Sequence, residues 1–211
     1  MKFYDNGKPW GREPGYTPPD HFKIRKEDKA HGLRFQGKRN EEGKEVGEGF
    51  LTREEARKMV DRVGEGPYKL DLGCGSVCRE GYVGIDNSTS VNAPLQLNLD
   101  QDELPFDDNS IEEISCYHFL EHVQNLIPLM NECYRVLKPR GMMHIRVPFV
   151  PHLQAFQDPT HVRFFTTESF KYWDAREFLW QHVGSTYGII PFSEMNQKIE
   201  NTWELVVSFR K

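Results

Sequence analysis

Two glycines and two aspartates in residues 68–88, YKLDLGCGSVCREGYVGIDNS, have the spacing of a ligand-binding turn. Asp71 lies near the end of one apolar run and Asp86 ends the next, so both runs are predicted as strands, with Gly73 and Gly75 between them. In open α/β sheets ligands bind beyond the carboxyl ends of the strands, and a glycine turn lets a ligand approach the backbone. Asp86 can accept hydrogen bonds from both hydroxyls of a ribose. The stretch predicts a nucleoside-like ligand, and the alternative is that these residues only make a tight turn.

The connection between these two strands is too short for a dinucleotide site. The pattern G-x-G-x-x-G requires a third glycine where this chain has Cys78, and a full helix whose N-terminus holds a diphosphate. Residues 73–81 leave room for about one helical turn at most. S-adenosylmethionine (SAM) has ribose, adenine and an amino acid but no phosphate, and Asp71 with the backbone of residues 73–75 would face its ammonium and carboxylate groups. An NAD-dependent oxidoreductase is therefore the weakest interpretation.

A second polar group lies in residues 147–170, VPFVPHLQAFQDPTHVRFFTTESF, which follow the fifth predicted strand. We expect His161 to act as a general base or to position an acceptor, Asp158 to orient His161, and Arg163 to contact an acidic or hydroxylated substrate. The alternative is that Asp158 caps the turn and His161 satisfies a buried backbone group.

Two patterns raise the question of a metal site. His118, Glu121 and His122 match H-x-x-E-H, an inverted zinc-protease pattern. It lies where a strand meets a helix and lacks a third ligand in the expected context, so polar packing at the helix start is the preferred interpretation of Glu121 and His122. His118 with His152, Asp158 and His161 would bind a metal only if their loops converged. No metal site is predicted.

The elements that would position these residues alternate between strands and helices. Strands are predicted over residues 68–72, 82–85, 95–99, 111–116 and 142–147, helices over 119–137 and 166–180, and two last strands over 186–190 and 203–209. Alternation of this kind indicates an α/β fold with a doubly wound, mostly parallel, Rossmann-like sheet of seven strands. No helix-length segment separates the last two strands, so they are expected to form an antiparallel pair.

The beginning of the chain has a different composition. Residues 1–49 are rich in glycine, proline and charged residues, with isolated aromatics, and are interpreted as a loop-rich arm that is either a docked lid or a floppy tail. Thr52 and Glu55 form a capping box, which predicts a helix over residues 50–63 at the start of a domain that spans residues 50–211.

Composition restricts the class of protein further. Hydrophobic residues make up 37% of the 211 residues, no apolar run approaches the length of a membrane span, and the four cysteines form no small-domain disulfide framework. A reducing cytoplasm is the expected location. The net charge is −5, and residues 61–211 carry 13 basic and 21 acidic side chains. This acidity argues against wide contact with a nucleic-acid backbone.

Four segments in order carry a resemblance to a known family. They are LDLGCG, YVGID, LDQDELPFDDNSIEEISCYHFLEHV and LMNECYRVLKPRGMMHIRVP. Over about residues 68–148 they resemble the class I SAM-dependent methyltransferases, and specifically the methyltransferase type 11 branch. The chain departs from the family pattern D-x-G-x-G-x-G at Val77 and in its abbreviated first helix.

The resemblance implies SAM as the cofactor and a set of cofactor-binding residues. These are Asp71, Gly73, Cys74, Gly75, Asp86, Asn87, Asp100, Gln101, Tyr117 and His118. By that resemblance the residues up to Gly75 form the methionine loop, Asp86 holds the ribose, Asp100 with Gln101 lies beside adenine, and Tyr117 and His118 lie near the sulfonium. Asn98 is the alternative to Asp100.

The expected function is methyl transfer from SAM to oxygen on a small molecule or a sugar. A hydroxyl acceptor calls for a general base, and His161, Asp158 and His118 are the candidate catalytic residues. The alternatives are a nucleic-acid methyltransferase and a SAM-binding partner subunit without catalysis. Amino-methylating nucleic-acid enzymes have an Asn/Asp-Pro-Pro-aromatic motif where this chain has residues 115–118, SCYH, so nucleic acid is the less favoured partner.

Overall fold

A computed structural model describes residues 38–39, 45–46, 68–88, 91 and 93–211. The predicted arm and the predicted helix over residues 50–63 lie outside the described residues, except for two short strands, Lys38–Arg39 and Glu45–Val46, which pair antiparallel. The predicted domain boundary after residue 49 therefore stays a prediction.

The main element of the described chain is a seven-stranded sheet. Its strands are β1 (Tyr68–Leu72), β2 (Val83–Asp86), β3 (Leu95–Gln96), β4 (Ile111–Tyr117), β5 (Leu137–Pro148), β6 (Glu194–Glu200) and β7 (Glu204–Arg210). The spatial order is β3-β2-β1-β4-β5-β7-β6. Neighbours from β3 to β5 are parallel, and β7 is antiparallel to both β5 and β6. The predicted fold class, a mostly parallel seven-stranded Rossmann-like sheet with an antiparallel last pair, is confirmed.

Short helices cover this sheet. They are α1 (Leu126–Val136), α2 (Gln154–Gln157) and α3 (Phe178–His182), with 3-10 turns at Leu120–His122, Ser169–Trp173 and Gly184–Tyr187. On α1, Leu126, Leu129, Met130 and Cys133 recur at helical spacing and are buried. Burial of each Leu or Met side chain stabilises the folded state by about 1.5–3 kcal/mol, so the burial of this face holds α1 against the sheet.

The predicted helix over residues 119–137 is wrong in its first third. Residues 120–122 form a separate 3-10 turn, and the N–H groups of Gln124 and Asn125 donate to Asp100 Oδ1, both at 2.8 Å. Asp100 thereby satisfies donors that a continuous helix would have paired internally, so α1 begins only at Leu126.

The last third of the chain also differs from prediction. The predicted helix over residues 166–180 is divided at Asp174, which is 1% exposed and accepts hydrogen bonds from both the backbone and the guanidinium of Arg176. The predicted strand over residues 186–190 is wrong, and the strand that pairs with β7 is β6. The strand predicted over residues 203–209 is confirmed as β7, shifted by one residue.

The β1–β2 connection contains no helix in residues 73–82, all of which the structure describes. Gly73 has φ +65°, and a Cβ at this position would lie 2.5 Å from the ring of Phe119. Gly75 has φ +58°, but a Cβ there would meet nothing within 4 Å. The connection thus packs closely against Phe119 at Gly73, whereas Gly75 has open space beside its Cα.

None of the helices among the described residues has the length and apolar character that a membrane span requires.

Replacing Gly73 with Ala tests the contact with Phe119. The added methyl group imposes a left-handed backbone strain and a clash, and we expect the free energy of unfolding to fall by about 2–4 kcal/mol. Gly81→Ala is the matched control, because Gly81 has φ +80° with open space around it, and it should cost only about 1–2 kcal/mol. Equal losses in urea denaturation would show that the Phe119 contact does not constrain this turn.

Candidate functional site

A first cavity of about 230 Å³ lies at the carboxyl ends of β1, β2 and β4. It is lined by Gly73, Ile85, Asp86, Asn87, Leu97, Asn98, Leu99, Asp100, His118, Phe119, His122 and Val123. Its lining includes carboxylates and amides as well as aliphatic side chains. That combination suits a ligand with both hydroxyl groups and a flat apolar ring.

Asp86 is oriented by the backbone around it. Its Oδ2 accepts a hydrogen bond from the Gly75 N–H at 3.0 Å, and its Oδ1 accepts one from the Ser88 N–H at 2.8 Å. Since a carboxylate has about four acceptor positions, two remain for a ligand in the cavity. The carboxylate therefore ties the glycine turn to the end of β2 and can still accept from a diol.

The opposite wall is a compact polar turn over residues 98–102. Asp100 N–H donates to Asn98 Oδ1 at 3.2 Å, and Asn98 N–H donates to Asp102 Oδ2 at 2.8 Å. Burial raises the pKa of Asp102, and the hydrogen bond from the Asn98 backbone partly offsets this. Asp100 Oδ1 accepts hydrogen bonds from the N–H groups of residues 124 and 125, and Asn98 Oδ1 accepts one from the Asp100 N–H. Both side chains therefore line the cavity as parts of this fixed turn.

His118 follows β4 in a strained conformation, with φ +52°. Its Nε2 lies 3.0 Å from Glu204 Oε1 and its Nδ1 lies 3.5 Å from Glu121 Oε1, while its ring stacks on Trp203. The hydrogen bond to Glu121 raises the pKa of His118, burial opposes this, and Glu204 adds to the increase. Side chains from β4, the following 3-10 turn and the start of β7 thus meet at this imidazole.

A second cavity of about 550 Å³ adjoins the first. It is lined by His118, Glu121, His122, Pro148, Gln154, Gln157, Asp158, Pro159, His161 and Trp203. His118 and His122 belong to the walls of both cavities. A group bound in the second cavity is therefore separated from the first by these two imidazoles.

Backbone hydrogen bonds bring the loop of residues 158–163 to this place. The Val162 and Arg163 N–H groups both donate to the Glu121 carbonyl oxygen, at 2.8 and 3.1 Å. Arg163 also donates from Nε to the Val123 carbonyl oxygen at 2.6 Å and from Nη2 to the Gln124 carbonyl oxygen. The expectation that Arg163 contacts a substrate is wrong for this structure, because its guanidinium fastens the loop to residues 123–124.

Asp158 and His161 lie in the same loop but are not hydrogen-bonded to each other. Asp158 Oδ1 accepts from the hydroxyl and the N–H of Thr160, at 2.6 and 2.8 Å, which lowers the pKa of Asp158. His161 Nδ1 lies 2.9 Å from the Ala155 carbonyl oxygen. The predicted orientation of His161 by Asp158 is thus corrected, since the carbonyl of Ala155 orients the ring and Asp158 stabilises the turn.

The four residues that would bind a metal only if their loops converged, His118, His152, Asp158 and His161, are brought together only in part. His152 accepts a hydrogen bond from the Gln154 N–H and is not among the residues that line the second cavity. Glu121 and His122 occupy that cavity instead. Their interpretation as polar packing at a helix start is wrong, because the helix begins later and both side chains face the cavity.

Half of the predicted cofactor residues line the first cavity. These are Gly73, Asp86, Asn87, Asp100 and His118. Gly75 contributes its N–H to Asp86 and leaves open space where a side chain would stand.

The other predicted cofactor residues lie outside the wall of this cavity. Asp71 is buried and accepts from the Arg79 N–H, Cys74 Sγ lies 2.8 Å from Cys78 Sγ, and Gln101 is exposed. Tyr117 lies beneath the guanidinium of Arg79 at 4.4 Å. Direct ligand contact by these four therefore stays a prediction, and in this structure their side chains lie outside the lining of the cavity.

Besides the aliphatic residues Ile85, Leu97 and Leu99, sequence reasoning missed three residues in the wall of the first cavity, Phe119, His122 and Val123. They follow β4 directly, and the H-x-x-E-H spacing had already marked His122 as able to do chemistry. The sequence predicted a regular helix from residue 119, whereas residues 120–122 form a 3-10 turn, which directs these side chains differently.

A family model described as "Methyltransferase domain" matches residues 70–145. None of the curated proteins matches the chain. A crystal structure of a SAM-dependent methyltransferase from Archaeoglobus fulgidus aligns with a TM-score of 0.52 and 17% identity, over 76% of this chain and 95% of that one.

Two other solved structures align with lower TM-scores. Phosphoethanolamine N-methyltransferase 2 of Haemonchus contortus aligns at 0.45 with 14% identity, over 74% of this chain and 52% of that one. A protein in complex with the Trm112 methyltransferase activator of Haloferax volcanii aligns at 0.47 with 16% identity, over 74% and 88% of the two chains. The Archaeoglobus alignment establishes likeness of fold, and the family model covers β1 to β4 and most of β5.

Proposed function

We propose that this chain is a class I SAM-dependent methyltransferase of the type 11 branch and that it methylates a hydroxyl oxygen of a small molecule or sugar. The observation that carries this proposal is the wall of His118 and His122 shared by the two cavities. We assign the first cavity to SAM and the second to the acceptor. The acceptor oxygen then approaches the cofactor at the edge of His118.

The residues around the first cavity fit SAM. Asp86 offers two further acceptor positions to the ribose hydroxyls, and Gly75 leaves space for the methionine portion. Residues 73–82 form turns only, so no helix N-terminus is present there to hold a diphosphate. When bound, SAM supplies an electrophilic methyl group on a sulfonium.

The second cavity favours an uncharged, hydroxylated acceptor. Gln154 and Gln157 offer amide donors and acceptors, and Trp203 offers an aromatic face for a sugar or other ring. The carboxylates of Glu121 and Asp158 line the same cavity and would repel phosphate groups. This supports a small molecule over a nucleic acid.

Two imidazoles that line the second cavity are proposed to position the acceptor. His118 is held at both ring nitrogens by carboxylates, and His161 is held at Nδ1 by a carbonyl. Methyl transfer depends mainly on in-line placement, so residues with fixed orientation beside the sulfonium are the ones expected to matter. Asp158 retains a structural role in this proposal.

Asp86→Asn tests the cofactor assignment. In the asparagine side chain an NH₂ group replaces one carboxylate oxygen, so one backbone N–H would face another donor and the ribose would lose acceptor positions. We therefore expect S-adenosylhomocysteine to bind about 10- to 100-fold more weakly. Calorimetry measures this directly. Glu80→Gln removes the same charge from an exposed position in the same connection and should bind normally. Unchanged binding by Asp86→Asn would place the cofactor elsewhere.

The acceptor class is tested by transfer from SAM labelled in its methyl group to a cell extract divided into low-mass, nucleic-acid and protein fractions. We expect label in the low-mass fraction, in products that pass an acidic cation-exchange column, since methyl ethers stay neutral there and methylated amines are retained. Label in retained amines would contradict methylation on oxygen. Label in nucleic acid or protein would contradict a small acceptor.

Gln157→Ala tests the second cavity. Loss of one acceptor hydrogen bond should raise KM for the acceptor about 2- to 10-fold, with kcat and S-adenosylhomocysteine affinity little changed. Gln181→Ala, on α3 and outside both cavity walls, is the matched control. Steady-state kinetics on the acceptor found by labelling would measure both variants, and equal KM values would remove Gln157 from the acceptor site.

A further inference from the structure

We propose that Glu121, His122 and His161 form a binding site for a divalent metal ion of the zinc class, at the wall of the second cavity. One potential ligand atom from each residue lies within 4.8 Å of the other two. All three side chains line that cavity. The residues come from two separate parts of the chain, so their convergence is a product of the fold.

The first argument is an unpartnered buried oxygen. Glu121 is 1% exposed, and its Oε2 has no hydrogen-bond partner among the described residues. Its Oε1 lies toward His118. A buried carboxylate oxygen without a partner is costly, and a cation beside Oε2 would offset that cost.

The second argument is the state of the two imidazoles. His161 Nδ1 faces the Ala155 carbonyl at 2.9 Å, and a carbonyl only accepts, so Nδ1 carries the proton. His122 Nδ1 faces the Thr160 carbonyl at 3.3 Å and the Thr160 hydroxyl oxygen at 2.9 Å, while that hydroxyl donates to Asp158. His122 therefore also donates from Nδ1. In the neutral form of each ring Nε2 is then the nitrogen with a free lone pair, and a carbonyl on the other nitrogen is the usual support of a metal-binding histidine.

The third argument is that the site is held in place by the backbone. Glu121 and His122 are neighbours on the 3-10 turn, and the residue after His161 donates its N–H to the Glu121 carbonyl. The distance between the two segments is therefore fixed by main-chain hydrogen bonds and does not depend on the metal.

Two imidazoles and one carboxylate are a ligand set typical of zinc sites that leave a fourth position open for water or substrate. Here the open position would face the second cavity. The role of the ion rests on the proposed function: it would polarise the acceptor hydroxyl and lower its pKa. The acceptor oxygen then bonds to the methyl carbon as the sulfonium–methyl bond breaks, both electrons of that bond stay on sulfur, and the hydroxyl proton passes to water.

Cobalt(II) is the probe for this site, because its visible absorption reports its ligands. The full chain, freed of any affinity tag and of bound metal, is titrated with Co²⁺, and we expect absorption that saturates at one equivalent. Glu121→Gln and His161→Ala should each weaken the affinity at least about tenfold. His152→Ala, in the same region but outside the cavity wall, is the matched control and should bind normally. Circular dichroism verifies that each variant is folded.

The outcomes separate this site from the proposed function. No saturable Co²⁺ absorption, or equal affinity in Glu121→Gln, His161→Ala and the parent chain, overturns the metal site. Loss of methyl transfer on removal of metal, with S-adenosylhomocysteine affinity unchanged, supports the activating role. Binding of Co²⁺ together with full methyl transfer after chelation keeps the site but overturns that role. Failure of cofactor binding or of the labelling experiment bears on the proposed function alone.

Discussion

Two backbone N–H groups, of Val162 and Arg163, donate to a single carbonyl oxygen, that of Glu121, and this pair of bonds holds one side of the second cavity in place. They join the turn that follows β4 to the loop that follows β5. Without them His161 would have no fixed position relative to His122, and the second cavity would lose one side. Because main-chain atoms make these two bonds, the bonds themselves do not depend on which side chains stand at positions 162 and 163. The guanidinium of Arg163 adds a further fastening to the same turn.

The backbone of His118 is strained, and contacts of its side chain offset that strain. A left-handed conformation at a residue other than glycine costs about 1–3 kcal/mol, and such residues concentrate at functional sites. Here Glu121, Glu204 and Trp203 hold the ring on three sides. The strain turns the chain away from β4 so that residues 119–123 can line the first cavity. One strained residue therefore serves the cofactor side and the acceptor side together.

The sequence allowed the fold, the glycine turn and Asp86 to be predicted, because parallel strands are continuous apolar runs and glycine has a specific use at strand ends. β6 was missed because its residues, EMNQKIE, are mostly polar, as an edge strand allows, while the more apolar TYGII of residues 186–190 forms a turn and loop. The metal-type cluster was missed for a different reason. His161 is about forty residues away from Glu121 and His122 in the chain, and hydrogen bonds between two loops bring them together. Local periodicity carries no information about such contacts.

The position of β7 has a consequence for how the chain is made. This strand is inserted between β5 and β6, and its first residues bring Trp203 and Glu204 to His118. During synthesis β5 emerges long before β7, so one edge of the nascent sheet stays open to other chains until Glu204–Arg210 has been translated. β7 is thus also the strand that completes the junction between the cavities. A nascent chain that ends before Trp203 would keep the glycine turn and Asp86 yet leave the imidazole of His118 without its stacking partner.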